Sequence, residues 1–350
     1  MIIRTSAGHT CCLNRFNDEA RSGHVFNGLV NKKSWYLLLF GLVVGGAAAW
    51  LVFGNTDVAG VFDILQHDTD MTLTLVAATT YGLFFLGKAL RWRYLLEPVL
   101  EISSLRLLPY VLIGYAGNVL LPFQAGEAGR GYLLSKHHEI GTAAALSGIA
   151  LEKLLDFFAL LLLLIWALIA MDAPSPLAEQ LGLSLAGILT FAALCLIALL
   201  LEPKATAGII DRALSCGPQN VASWLAPKLH DAIRGLMALR QTSLILKLVV
   251  TSLATWMLML ITLYLTINAV QLEVPLAVAI LVLVLAAVGL ALPTSPGFIG
   301  TLQAAFVLGM VPFGTEQEGA VAASLLYQFL TTLPPLALGL ICLAFLKRGF

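Results

Sequence analysis

Glu127 and Arg130 stand three residues apart in the stretch Leu120 to Tyr132, L-L-P-F-Q-A-G-E-A-G-R-G-Y, between two strongly apolar segments. An arginine guanidinium is a planar, bidentate cation suited to a phosphate or a carboxylate. Pro122 ends a helix and has no N–H to satisfy, and Gly126, Gly129 and Gly131 allow close backbone approach. A helix that starts beside such a break presents free N–H groups and the positive end of its dipole, an anion site. Glu127 could hold Arg130 while no ligand is bound; the plainer alternative is that the two simply neutralise each other at the membrane interface. Irregular backbone at membrane depth is tolerated only when it is buried in protein or lines a wet cavity, and ionisable groups there are costly and functional by default.

Three more charges follow on the apolar segment 143–171: Glu152, Lys153 and Asp156. Glu152 and Asp156 are four apart and share a helix face, and Lys153 is three from Asp156, within pairing reach. From Asp156 to Asp172 is about 24 Å of helix against a hydrocarbon core of about 30 Å. Asp156 is thus expected roughly 6 Å inside the cytoplasmic edge, with Glu152 near the edge. Snorkelling interfacial charges are the competing reading of this trio. Lys88, Arg91 and Arg93 gather at the end of the segment 71–90. They read as a positive-inside anchor or, more sharply, as a headgroup contact beside Arg130. A second break, Leu292-Pro293-Thr294-Ser295-Pro296-Gly297-Phe298-Ile299-Gly300, shares the pattern Leu-Pro-x-x-x-Gly with Leu121–Gly126.

Some chemistries are not expected. Adjacent histidines such as His137 and His138 point about 100° apart on a helix, so His137-His138-Glu139 suggests no metal site. None of the five cysteines pairs at metal-ligand spacing, and Cys11-Cys12 are adjacent, so neither a zinc site nor a disulfide framework is read. A G-x-x-x-x-G-K-[ST] loop is missing, so ATP hydrolysis within this chain is not expected. No catalytic motif, cofactor site or nucleic-acid partner is read from the residues, and the expectation is a protein that is not an enzyme.

The elements that must position these residues are apolar. The chain has 350 residues, 59% hydrophobic and 11% charged, where soluble domains carry about 25% charged residues. Apolar runs at 35–54, 71–90, 105–121, 143–171, 181–201, 248–268, 275–292, 301–313 and 319–346 predict an all-α, polytopic membrane protein of about six to eight membrane segments. The acidic stretch 55–70 reads as a loop. Residues 1–34 read as a cytoplasmic tail, 35–346 as a single transmembrane domain, and about 208–241 as an amphipathic helix lying on the inner surface.

Basic residues favour the cytoplasmic side. With the N-terminus inside, all of them face the cytoplasm or its interface except Lys153, provided that 105–140 and 275–313 form re-entrant hairpins. These hairpins would enter from opposite leaflets, an inverted-repeat arrangement known from transporters whose broken helices meet near the midplane. The expected place is a bacterial inner membrane with both termini cytoplasmic.

The run Asn118-Val-Leu-Leu-Pro122-Phe-Gln-Ala-Gly126-Glu127-Ala-Gly-Arg130, the later Glu152-Lys153-x-x-Asp156, and Leu292-Pro293-x-x-Pro296-Gly297-x-x-Gly300 together resemble the lysylphosphatidylglycerol synthase transmembrane-region family, the flippase-like membrane proteins. The resemblance spans about 85–345. Two departures stand out: the family leads one to expect a basic residue near Gln124 and an acidic one near Gln303. The cytoplasmic aminoacyltransferase domain of the full synthases is absent from this sequence, so lipid aminoacylation is not implied. What the resemblance implies is translocation of a lipid, or of an isoprenoid-linked headgroup, between leaflets.

The candidate headgroup site is therefore Arg130 with Glu127, Gly126, Asn118, Pro122, Lys153, Glu152, Asp156, Pro293, Pro296, Gly297 and Gly300, with Lys88, Arg91 and Arg93 second. Glu127, Glu152 and Asp156 would gate or relay protons. Expected partners are anionic or phosphate-bearing membrane lipids, a coupling ion (H+ or Na+) and a cell-envelope enzyme. Two alternatives stay open: a membrane-embedded lipid-modifying transferase, and a non-transporting partner of a lipid enzyme.

Overall fold

The computed structural model describes residues 32–54, 56–97, 100–121, 125–138, 140, 142–171, 242–291 and 296–347, with isolated residues between 180 and 208. The expected tail, most of the expected span 181–201, nearly all of the amphipathic segment 208–241, and the break residues Pro122 and Pro293 lie outside the described residues. The described regular elements are all helical. They are α1 (Lys32–Phe53), α2 (Val58–Asp63), α3 (Met71–Leu96), α4 (Ser104–Leu120), α5 (Ala125–His138), α6 (Thr142–Ala170), α7 (Thr242–Ala269), α8 (Leu276–Ala291), α9 (Thr301–Met310) and α10 (Gln317–Lys347).

Among the described residues, four helices are long and apolar enough to cross a membrane: α3, α6 from Leu151 onward, α7 from Leu246, and α10 to Leu346. A fifth span arises if Gly41–Phe53 and Val58–Asp68, bent 90° at a short break, act as one. The stretch expected as an acidic loop at 55–70 is thus largely helical. Asp57 caps α2 by accepting from the Ala59 N–H at 3.0 Å, a π-helical turn at Ile64–Asp68 follows, and Val61 packs with Val52, Val321 and Ala322. The acidic residues hid a short apolar face. Asp70 then caps α3, accepting from the Thr72 and Leu73 N–H groups at 2.7 and 3.2 Å. That helix runs to Leu96, beyond the expected end at residue 90, so Lys88 and Arg91 lie inside it and do not flank it.

Both breaks form helical hairpins. In the first, α4 and α5 run antiparallel. Gly114 and Gly117 face Gly126 beside the break, and the Tyr110 hydroxyl meets His137 Nδ1 at 3.1 Å at the open end. A Cβ on Gly117 would lie 2.6 Å from the Gly126 Cα, so glycine is required for this approach. In the second, α8 and α9 pair, with Gly289 against Thr301 and Gly309 against Val282. The four arms have 17, 14, 16 and 10 residues, each short of the roughly 20 needed to cross.

α8 is the central helix. Every residue from Val278 to Val284 is at most 1% exposed, as expected of a helix that is apolar on all sides. It is surrounded by α6, α7 and α9. A second core joins α3, α4 and α5 to the start of α7 through Trp92, Leu96, Leu107, Leu134 and Leu248. α3 packs along α7, α10 along α4, and α9 against α1. The candidate site occupies the seam between the two cores.

Candidate functional site

Four helices each bring polar residues to this seam at spacings of one helical turn: Lys88 and Arg91 on α3, Glu127 and Arg130 on α5, Glu152 and Asp156 on α6, Ser252 and Trp256 on α7. Such spacings place the pair on one helix face. Glu152 is the hub. It accepts from Lys88 Nζ, from Arg91 Nη2 at 2.8 Å and from Arg130 Nη2 at 2.5 Å. Asp156 accepts from Arg91 Nη1 at 2.7 Å and from Trp256 Nε1 at 2.8 Å, and Lys88 Nζ is 3.7 Å from it. Arg91 Nη1 also donates to Ser252 Oγ at 3.1 Å. The Arg130 guanidinium lies over the Trp92 ring, 4.8 Å from its centroid.

These charges are deeply buried: Arg91 is 0% exposed, Glu152 1%, Arg130 2%, Lys88 6% and Asp156 9%. Taking one ion out of water costs several kcal/mol, which only close pairing and full hydrogen bonding offset. A second pair sits nearer solvent, with Lys153 Nζ donating to Glu127 Oε1 at 2.7 Å. Asn118 Oδ1 holds the start of α5 by accepting from the Glu127 N–H at 3.2 Å.

Several expectations change. Glu152 and Asp156 do not snorkel as interfacial charges; both are enclosed by cations from neighbouring helices. Lys153 pairs with Glu127, not with Asp156. Glu127 and Arg130 do not neutralise each other: α5 lies against α6 in antiparallel register, so Arg130 meets Glu152 and Glu127 meets Lys153. Of the expected anchor Lys88/Arg91/Arg93, only Arg93 is exposed. The other two are inside the network, because α3 turns their common face toward α6.

A cavity of about 240 Å³ opens beside the network, and both hairpin tips line it: Asn118 and Glu127 from the first, Phe298 and Leu302 from the second. Lys88, Lys153 and Asp156 add charge to its wall, and Tyr81, Phe84, Tyr115 and Tyr327 add aromatic surface. Arg130 and Arg91 are not on the wall; they stand behind it, held by the carboxylates. Gly126, at 2.0–2.7 Å from α4 backbone if it bore a Cβ, is the contact that closes the hairpin.

The second tip is built from left-handed backbone. Gly297, Phe298 and Gly300 have φ of +72°, +62° and +86°, a region that glycine adopts without strain. Pro296 opens this turn. Gln328 on α10 donates to the Gly297 carbonyl at 2.7 Å and accepts from Gln303 Nε2 at 2.5 Å, while Gln303 Oε1 accepts from the Gly300 N–H at 2.7 Å. Gln303 is fully buried. At this departure from the expected acidic residue, the amide both donates and accepts, which a carboxylate cannot do. Gln124 lies outside the described residues.

Sequence reasoning missed Ser252, Trp256, Trp92 and Gln328. Thr251, Thr255, Thr262 and Thr266 do recur on one face of α7, but that face lies about a quarter turn from Ser252 and Trp256. Among the described residues, no group of three or more His, Cys, Asp or Glu could hold a metal ion.

The family model for the lysylphosphatidylglycerol synthase transmembrane region matches residues 38–339, nearly the whole described structure. The chain belongs to that family. It is a multi-pass helical membrane protein linked by its family to lipid metabolism. The matched region contains every charged residue of the network and both hairpins. Neither a curated protein nor a solved structure matches the chain.

Proposed function

We propose that this protein moves a phosphate-bearing headgroup, of a lipid or an isoprenoid-linked carrier, between membrane leaflets. The observation that carries this reading is a cavity at which two broken-helix tips meet, with Lys88 and Lys153 on its wall. Its volume of about 240 Å³ is below the roughly 300–1,000 Å³ that encloses a drug-sized ligand. It suits a headgroup whose acyl or isoprenoid tails remain in the bilayer. A charged group at the centre of a spanning helix costs about 2.5–3.5 kcal/mol on insertion scales; a wall of fixed cations lowers that barrier for an anionic head. In the proposed arrangement the two hairpins re-enter from opposite leaflets of a bacterial inner membrane, termini inside, and each tip gives the headgroup access from one side. The driving force is an ion gradient, H+ or Na+, and the chain is not an enzyme.

The test is reconstitution of the purified protein into vesicles bearing headgroup-labelled phospholipids on one leaflet. Inter-leaflet movement faster than in protein-free vesicles is expected, slowed at least tenfold by Lys153→Ala. Rates equal to those of protein-free vesicles for every phosphate-bearing lipid tried would refute the reading.

A further inference from the structure

The buried network is short of negative charge. Among the described residues it holds three cations, Lys88, Arg91 and Arg130, against two carboxylates, Glu152 and Asp156, which leaves one positive charge uncompensated. The neighbouring Lys153–Glu127 pair adds none. It is short of acceptors too: Arg91 Nε and Arg130 Nε are buried and have no hydrogen-bond partner. A lone excess charge in a dry interior is costly unless something pairs with it. Of the three cations, only Lys88 reaches the cavity wall.

The rest of that wall limits what can pair with Lys88. Tyr115 and Tyr327 supply hydroxyls, and Asn118 an amide, as neutral donors. Lys153, Glu127 and Asp156 also face the cavity: Lys153 and Glu127 cancel as a pair, and Asp156, held by Arg91 and Trp256, repels a second negative charge. One added negative charge brings the whole cluster to neutrality. Two leave it net negative against two carboxylates.

We propose that the cavity selects a headgroup carrying a single negative charge, a phosphodiester, seated on Lys88, and discriminates against dianionic phosphates. This rests on the reading that a phosphate headgroup occupies the cavity. A phosphate monoester carries about 1.5 to 2 negative charges at pH 7, so charge alone separates the two classes. Phosphodiesters come from glycerophospholipids or from sugars linked to an isoprenoid through one phosphate; both share the chemistry.

The experiment measures binding of four lipids to the full-length protein in nanodiscs at pH 7.5: phosphatidylglycerol, an isoprenyl-monophosphate sugar, phosphatidic acid and an isoprenyl diphosphate. At least one of the two diesters should bind tenfold or more tighter than phosphatidic acid and the diphosphate, and which one does identifies the source. Lys88→Met should weaken diester binding at least tenfold, and Lys88→Arg should restore most of it. Glu127→Gln raises the cluster's net positive charge by one and should shift preference at least fivefold toward phosphatidic acid. It decides the matter alone if Lys88→Met does not fold. Equal or tighter binding of the dianions, or unchanged preference in Glu127→Gln, overturns charge selection and leaves the headgroup reading standing. Binding of none of the four lipids overturns both.

Discussion

Replacing Glu152 by Gln tests the network at its hub. The change keeps size and shape, and removes the negative charge that Lys88, Arg91 and Arg130 share. One oxygen remains to accept a bond. The new NH2 group points a donor at donors, so at least one of the three cations loses its acceptor. Breaking a buried ion pair by removing one partner costs about 3–5 kcal/mol. Glu152 is only 1% exposed, so screening by water gives no relief, and a loss near 4 kcal/mol is expected, about a thousandfold in the folding equilibrium. The assay is unfolding in mixed micelles by titration with a denaturing detergent, followed by tryptophan fluorescence; Trp92 and Trp256 both touch the network. The double variant Arg130→Met with Glu152→Gln returns the cluster to its original net charge, and a coupling of about 1–3 kcal/mol is expected between the two sites. Glu127→Gln is the comparison. Its pair is partly exposed, with side chains 14% and 37% accessible, and its loss should stay below about 1 kcal/mol. If Glu152→Gln costs no more than Glu127→Gln, the reasoning that the buried hub holds three helices together is wrong.

Three further outcomes are expected. Gly126→Ala should destabilise by about 1–3 kcal/mol, because the new Cβ meets α4 backbone that cannot move aside. Gly129→Ala, with open space around it, should be neutral or stabilising by about 1 kcal/mol, and equal effects at the two sites would refute the close-approach argument. Gln303→Glu keeps the acceptor for the Gly300 N–H but removes the donor to Gln328 and should cost about 1–3 kcal/mol; an unfolding free energy equal to that of the unsubstituted protein would show that the amide relay does not hold the second tip. Trp256→Phe deletes a donor to a carboxylate and should cost about 1.5–3 kcal/mol, with no such loss in an Asp156→Ala background, which has no side-chain acceptor left, if the bond to Asp156 is the cause.

Much of the architecture is legible in the chain itself. The expected segments 105–121, 275–292 and 319–346 appear as Ser104–Leu120, Leu276–Ala291 and Gln317–Lys347, and both breaks fall where proline and glycine interrupt the apolar runs. The helices on either side of each break pack against each other, and the three motifs that carry the family resemblance lie within the matched region. The acidic stretch 55–70 misled because Asp57 and Asp70 act as helix caps, a role that composition alone does not separate from a loop.

The partners of the charges were a different matter. Local spacing favoured Glu127 with Arg130 and Lys153 with Asp156, each three residues apart. The structure instead joins Arg130 to Glu152, 22 residues away, and Lys88 to Glu152, 64 residues away. Nothing in the linear pattern announced Ser252 or Trp256 as neighbours of Arg91 and Asp156. Each residue meets the bilayer independently, so hydropathy sums along the chain and reveals spans, breaks and class. An ion pair depends on which faces of two helices are apposed and in what register. That is settled only when close glycine contacts and the filling of both cores lock α3, α5, α6 and α7 together.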